Sequence, residues 1–135
     1  MVATQKRYSI LITDDDRGVR ETLGEVVETR GFCPVLAEDG EHAIEIVHRQ
    51  PIHLALLDYQ MPRLTGLETL QLVRQVHALL PAILITADIT QGLLRQACQA
   101  HVYSVIPKPV SKNVVLYTVV RALARSYGPE RPREG

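Results

Sequence analysis

The chain has 135 residues, 46% of them hydrophobic, with fifteen Lys and Arg balancing fifteen Asp and Glu. That length suits one domain with a single sizeable core. Zero net charge supplies no general attraction to nucleic acid or to an anionic membrane. No apolar run approaches the roughly 20 residues of a membrane helix, and residues 1–8 lack the apolar core of a signal peptide. Cys33 and Cys98, the two cysteines, form neither a disulfide framework nor a zinc-ligand spacing. Free thiols in a reducing compartment and a soluble, cytoplasmic chain are the expectation.

Residues 8–13 (YSILIT) are β-rich and run into Asp14, Asp15 and Asp16. A helical pattern follows, with Val19, Leu23, Val26 and Val27 at i, i+4, i+7 and i+8. Asp16 is the expected N-cap and Gly31 the expected stop. Residues 32–37 read as a second strand. Asp39-Gly40 turns the chain into a helix with Ala43, Ile44 and Val47 inward, ended by Pro51. Residues 52–57 form a third strand, whose last four residues are apolar and run straight into Asp58. A carboxylate there is a cap, a metal ligand or a nucleophile.

Residues 62–65 are a loop, with Thr65 as cap for a helix over 66–78 that buries Leu67, Leu70, Val73 and Val76. Residues 82–86 (AILIT) are a fourth strand. Thr90 caps a fourth helix to about Ala100, and 101–106 is a fifth strand. Ser111 caps a fifth helix to about Ser126, packed through Val114, Val115, Leu116, Val119 and Leu123. Residues 1–127 form the domain, and the Pro-, Arg- and Glu-rich stretch 128–135 is a tail or the start of a linker.

Five β-α units with short connections predict an α/β fold, a mostly parallel sheet with helices on both faces. Strands one, three and four are near-continuous apolar runs, as expected of strands covered on both sides. Pro34 and Pro107 bear on strand order, because proline cannot donate within a central strand. The order 2-1-3-4-5 leaves both on edge strands. The order 3-2-1-4-5 would put Pro34 inside the sheet.

In such sheets functional groups gather beyond the carboxyl ends of the strands, where strand order reverses. Asp14, Asp15, Asp58, Thr86 and Lys108 come from separate segments and should share that rim. Clustered carboxylates repel one another unless something positive intervenes. Oxygen ligands of this kind suit Mg2+, which takes one or two carboxylates and completes its shell with waters and phosphate oxygens. A carboxylate facing a metal, an ammonium and a hydroxyl is placed to attack phosphorus.

The segments ILITDDDRGVR, LALLDYQMPRLTGLE, ILITA and IPKP, in that order, resemble the signatures of response-regulator receiver domains of two-component signalling. The resemblance covers about residues 8–126. It implies a flavodoxin-like (βα)5 fold with Asp58 as phosphoacceptor. Asp14, Asp15 and Asp58, with the backbone carbonyl of Gln60, would hold Mg2+. Thr86 and Lys108 would contact the phosphoryl group. Lys108–Pro109 matches a peptide usually cis in the family, and Gly66 matches the glycine of the loop after the phosphoacceptor. Gln60 and Asp88 match variable positions that tune phosphoryl lifetime.

Implied partners are a histidine kinase or phosphotransfer protein, and a downstream output domain or partner protein. A homodimer through the fourth helix, fifth strand and fifth helix is a further implication. No nucleic-acid or membrane contact by the domain itself is expected.

Two positions depart from the family pattern. Val105 stands where an aromatic residue is usual, three residues before the lysine. Tyr103, two residues earlier, should share its strand face by the period-2 rule. Pro107 directly precedes Lys108 and removes a backbone donor.

Other readings compete. Asp14 to Asp16 followed by Gly18 are similar to the strand-end aspartates of haloacid-dehalogenase-type phosphatases, which would make the chain an enzyme with Asp14 at its centre. A degenerate receiver would act without phosphorylation. A flavin module on this fold would need a phosphate loop where three aspartates stand. His42, His48, His53, His77 and His101 lack ligand spacing, and Arg121, Arg125, Arg131 and Arg133 read as a solvated face and linker.

Overall fold

The computed structural model describes residues 7–128. The expectations for most of the tail, including Arg131 and Arg133, lie outside the described residues. Ten elements alternate strictly: β1 (Ser9–Thr13), α1 (Arg17–Glu28), β2 (Cys33–Ala37), α2 (Gly40–Arg49), β3 (Leu54–Asp58), α3 (Gly66–Val76), β4 (Ala82–Thr86), α4 (Gln91–Gln99), β5 (Ser104–Pro107) and α5 (Lys112–Tyr127). The sheet is five-stranded, parallel between every neighbouring pair, in the order β2-β1-β3-β4-β5.

Each helix begins where a short polar side chain can replace a missing intrahelical partner. Asp16, Asp39, Thr65, Thr90 and Ser111 all accept the backbone N–H three residues on. Thr65 and Glu68 satisfy each other's backbone N–H groups in a capping box. Gly31 (φ 84) closes α1 in the left-handed region, with Phe32 N–H donating back to Val27 O.

Period-2 alternation sorts the strand side chains onto two faces. Ile10, Ile12, Leu54, Leu56, Ile83, Ile85 and Ile106 pack with Leu23 and Val27 of α1 and with Val115, Val119, Ala122 and Leu123 of α5. Leu11, Ala55, Leu57, Ala82 and Leu84 pack with buried residues of α2, α3 and α4 on the other side. The central strands therefore have no polar face, and their first charged residues appear where β1 and β3 end.

The prolines sit where the ladder can spare a donor. Cys33 N–H donates to Tyr8 O. Alternate residues of a parallel strand point their N–H groups to opposite sides, so the Pro34 nitrogen faces the open edge. Pro107 is different. Tyr103 N–H donates to Ala82 O, and two-residue steps would make residue 107 the donor to Thr86 O. Lys108 N–H makes that bond instead, at 2.8 Å.

The fifth strand begins later than its apolar pattern predicts, at Ser104 rather than residue 101. The reason is the end of α4. His101 takes φ 54, its N–H donates to Cys98 O, and Val102 N–H donates to Ala97 O. That paired 5→2 and 6→1 arrangement is a Schellman stop, built here on histidine rather than glycine. One consequence corrects the sequence reading. Tyr103 lies outside the strand, so it does not share a face with Val105. Val105 packs toward α2, α3 and α4, whereas Tyr103 packs on the α1 and α5 side, with the Arg125 guanidinium 5.9 Å from its ring centre.

Candidate functional site

The site grows out of three adjacent strand ends. Register places Thr13 of β1 opposite Leu57 of β3 and Asp58 opposite Ile85 of β4. Asp14 and Asp58 thus emerge side by side, with Thr86 one residue past the β4 partner. Asp14 is 1% and Asp58 3% exposed, while Asp15 is exposed. One carboxylate oxygen from each of Asp14, Asp15 and Asp58 lies within 4.8 Å of the others.

Lys108 reaches into this cluster from the loop after β5. Its Nζ lies 3.2 Å from Asp14 Oδ2 and 3.4 Å from Asp58 Oδ2. The remaining oxygens are held by backbone. Asp16 N–H donates to Asp14 Oδ1 at 2.8 Å, and Gln60 N–H donates to Asp58 Oδ1 at 3.3 Å. The Lys108–Pro109 bond is cis. Burial first, then the Asp14 charge, raises the Asp58 carboxyl to about 6 against the pull of Lys108 and the Gln60 N–H. Burial works to lower the Lys108 ammonium, but the charges of Asp14 and Asp58 prevail and hold it above its ordinary value.

Two buried carboxylates and one ammonium leave the pocket short of positive charge. Asp14 Oδ2 is buried and accepts no hydrogen bond; the positive charge beside it is the Lys108 ammonium at 3.2 Å. An oxygen-only donor set with an unsatisfied buried carboxylate oxygen and an exposed third carboxylate suits a hard divalent cation. Asp14, Asp15 and Asp58 therefore fit magnesium by their chemistry.

The wall behind Asp58 depends on Gly66. A Cβ there would lie 2.5 Å from Asp58 O and 2.9 Å from Leu84 Cδ1. Without a side chain, Gly66 N–H can donate to Tyr59 O at 2.9 Å, seating the start of α3 against the strand end.

The sequence-predicted residues do not all converge. Asp14, Asp15, Asp58 and Lys108 do. Thr86 stands at the rim and is fully buried, but its hydroxyl is engaged elsewhere. Thr86 Oγ1 accepts from Asp88 N–H at 3.1 Å and donates to Asp88 O at 3.3 Å. Gln60 and Asp88 are exposed at the mouth.

Two arginines near the site escaped the sequence reading. Arg20 Nη1 donates to Asp14 O at 2.7 Å; its place one helical turn past the Asp16 cap was the available signal. Arg63, at φ 69 in the loop after Asp58, pairs with Asp39 and Glu41, each at 2.8 Å. No local pattern foretells that pairing, since 24 residues separate Arg63 from Asp39.

Comparison with known proteins bears on this geometry. Residues 10–120 match the family model described as response regulator receiver domain. The chain is 33% identical over 122 residues to the transcriptional regulatory protein CpxR of Escherichia coli, covering 90% of this chain and 52% of that protein. It is 35% identical over 125 residues to the response regulator MprA of Mycobacterium leprae, covering 93% and 54%. The chain thus spans about half the length of these relatives.

Among solved structures, a response regulator receiver protein from Pseudomonas putida superposes with TM-score 0.82 at 27% identity, covering 87% of this chain and 99% of that one. The Vibrio cholerae chemotaxis protein CheY4 gives 0.82 at 20% identity over 87% and 99%, a likeness of fold.

Proposed function

The chain belongs to the response regulator receiver domain family of two-component signalling, and from that premise we propose that Asp58 accepts a phosphoryl group from a partner protein. The observation that carries the proposal is the pairing of two buried carboxylates from separate strands, Asp14 and Asp58, across one ammonium, Lys108. Nothing in a purely structural cap calls for that arrangement.

In the proposed step an ionised Asp58 oxygen attacks phosphorus in line. A bond forms between that oxygen and phosphorus as the bond from phosphorus to the donor breaks, and the leaving group departs on the far side. With its carboxyl raised to about 6, Asp58 is still mainly ionised at neutral pH. Lys108 offsets charge on the phosphoryl oxygens. Thr86 would leave Asp88 and turn its hydroxyl toward the new phosphoryl group. Asp14, Asp15, Asp58 and the Gln60 carbonyl would hold magnesium, which supplies charge neutralisation on carboxylates and phosphoryl oxygens.

The donor is a histidine kinase or phosphotransfer protein, and the downstream partner is a protein or output domain whose contact with this one changes on modification. Homodimerisation through α4, β5 and α5 and a cytoplasmic location belong to the same proposal. Among the described residues no helix is long and apolar enough to cross a membrane.

Incubation with magnesium and acetyl phosphate should add one phosphoryl group by intact mass. The adduct should vanish with chelation of magnesium and in Asp58→Asn. An adduct that survives Asp58→Asn overturns the proposal, as does none in the native chain. An adduct lost in Asp14→Asn but retained in Asp58→Asn would favour the phosphatase-like reading.

A further inference from the structure

Helix α4 is lightly anchored. Only Leu93 and Ala97 of its nine residues are buried. Its two ends are tied in different ways. At the start, Thr90 caps the helix, and the residues leading to it are pinned by the paired bonds between Thr86 Oγ1 and the Asp88 backbone. At the finish stands a half-buried guanidinium from α3. Arg74 donates to Ala100 O through Nη1 and to His101 O through Nη2 at 3.2 Å. It also donates to Leu80 O through Nε at 3.2 Å and Nη2 at 3.0 Å.

Three carbonyls from two segments therefore converge on one planar fork. Leu80 is fully buried at the base of β4, so the fork is tied to a rigid point. Ala100 O and His101 O belong to the carbonyl end of α4, the negative pole of its dipole, which a cation favours. Burial lowers the Arg74 pKa from its ordinary value, yet arginine keeps its charge inside proteins. A lysine could not copy the fork, because its ammonium is a point charge without planar donors.

The two ends respond differently to a phosphoryl group on Asp58. Turning Thr86 Oγ1 toward it breaks both bonds to Asp88 and loosens the approach to α4. Nothing in that movement touches Leu80, Ala100 or His101. We propose that Arg74 makes the C-terminal end of α4 a pivot, about which phosphorylation swings the N-terminal half of the helix. The proposal rests on the receiver reading above and adds the direction of the movement. It also gives the chain a readout that does not depend on an aromatic residue at Val105.

Hydrogen exchange followed by mass spectrometry tests it, on the whole chain with and without beryllofluoride and magnesium as phosphoryl mimic. In the native chain amides of residues 87–95 should change exchange rate, while those of 97–103 should stay within about twofold. Arg74→Lys should bind the mimic yet exchange residues 97–103 about tenfold faster, the factor for ~1.4 kcal/mol of lost hydrogen bonding. In that variant the response should spread along all of α4. Equal responses of both ends in the native chain overturn the pivot, as does unchanged exchange over 97–103 in Arg74→Lys. No response anywhere in the native chain, together with no acetyl-phosphate adduct, overturns the receiver reading and the pivot with it.

Discussion

Replacing Asp58 by Asn should make the metal-free protein more stable. The native carboxyl is raised from 3.8 to about 6 by burial and by Asp14. Holding it ionised at pH 7 therefore costs the folded state about 3 kcal/mol, at ~1.36 kcal/mol per pKa unit. An amide of the same shape escapes that cost but gives Gln60 N–H and Lys108 a weaker partner. The net gain should be about 1–3 kcal/mol, or roughly 4–12 °C in Tm for a domain of this size.

The sign of the pH dependence follows from the direction of the shift. Because the folded carboxyl holds its proton more tightly than the unfolded one, the native state binds more protons between 3.8 and about 6. The penalty is full above that window and disappears as pH falls through it. Urea unfolding in EDTA should show the variant ahead at pH 7 and level with the native chain near pH 4. Added magnesium should narrow the gap at pH 7 by stabilising the native chain alone. An Asp58→Asn protein less stable at pH 7 in EDTA, or a gap that does not change with pH, would refute the reasoning.

Gly66→Ala would force a Cβ against Asp58 O, 2.5 Å away, and Leu84, so urea unfolding should show a loss of about 1–3 kcal/mol. Lys108→Met removes the cation 3.2 Å from Asp14 and 3.4 Å from Asp58. Calorimetric titration should find magnesium bound several-fold more tightly while acetyl-phosphate labelling slows; weaker magnesium binding would contradict the pocket's charge balance. Tyr127→Phe deletes a hydroxyl that donates to His53 O at 2.7 Å, tying the end of α5 to the lower end of the sheet. Thermal unfolding should register about 0.5–1.5 kcal/mol.

Much of the fold was legible because it is written in local chemistry. Four of the five caps, the apolar runs of β1, β3 and β4, and the stop at Gly31 need only a few neighbouring residues to be read. The edge placement of Pro34 follows from its missing donor. The start of β5 was misread because His101 ends α4 in a conformation that glycine usually supplies, and no pattern flags a histidine there. The face of Tyr103 was misjudged for the same reason, since period-2 alternation holds only inside a strand.

At the site, the sequence by itself determined which groups stand at strand ends: Asp14, Asp15, Asp58, Thr86 and Lys108. Those positions are consequences of apolar runs ending in polar residues. Tertiary structure alone decided how the groups face one another. Lys108 stands between two buried carboxylates, Asp14 Oδ2 accepts no hydrogen bond, and Thr86 turns its hydroxyl to Asp88 rather than Asp58. Arg74 meets carbonyls 26 and 27 residues away. Side-chain direction and long-range pairing depend on packing across elements, and no short stretch of chain encodes that packing.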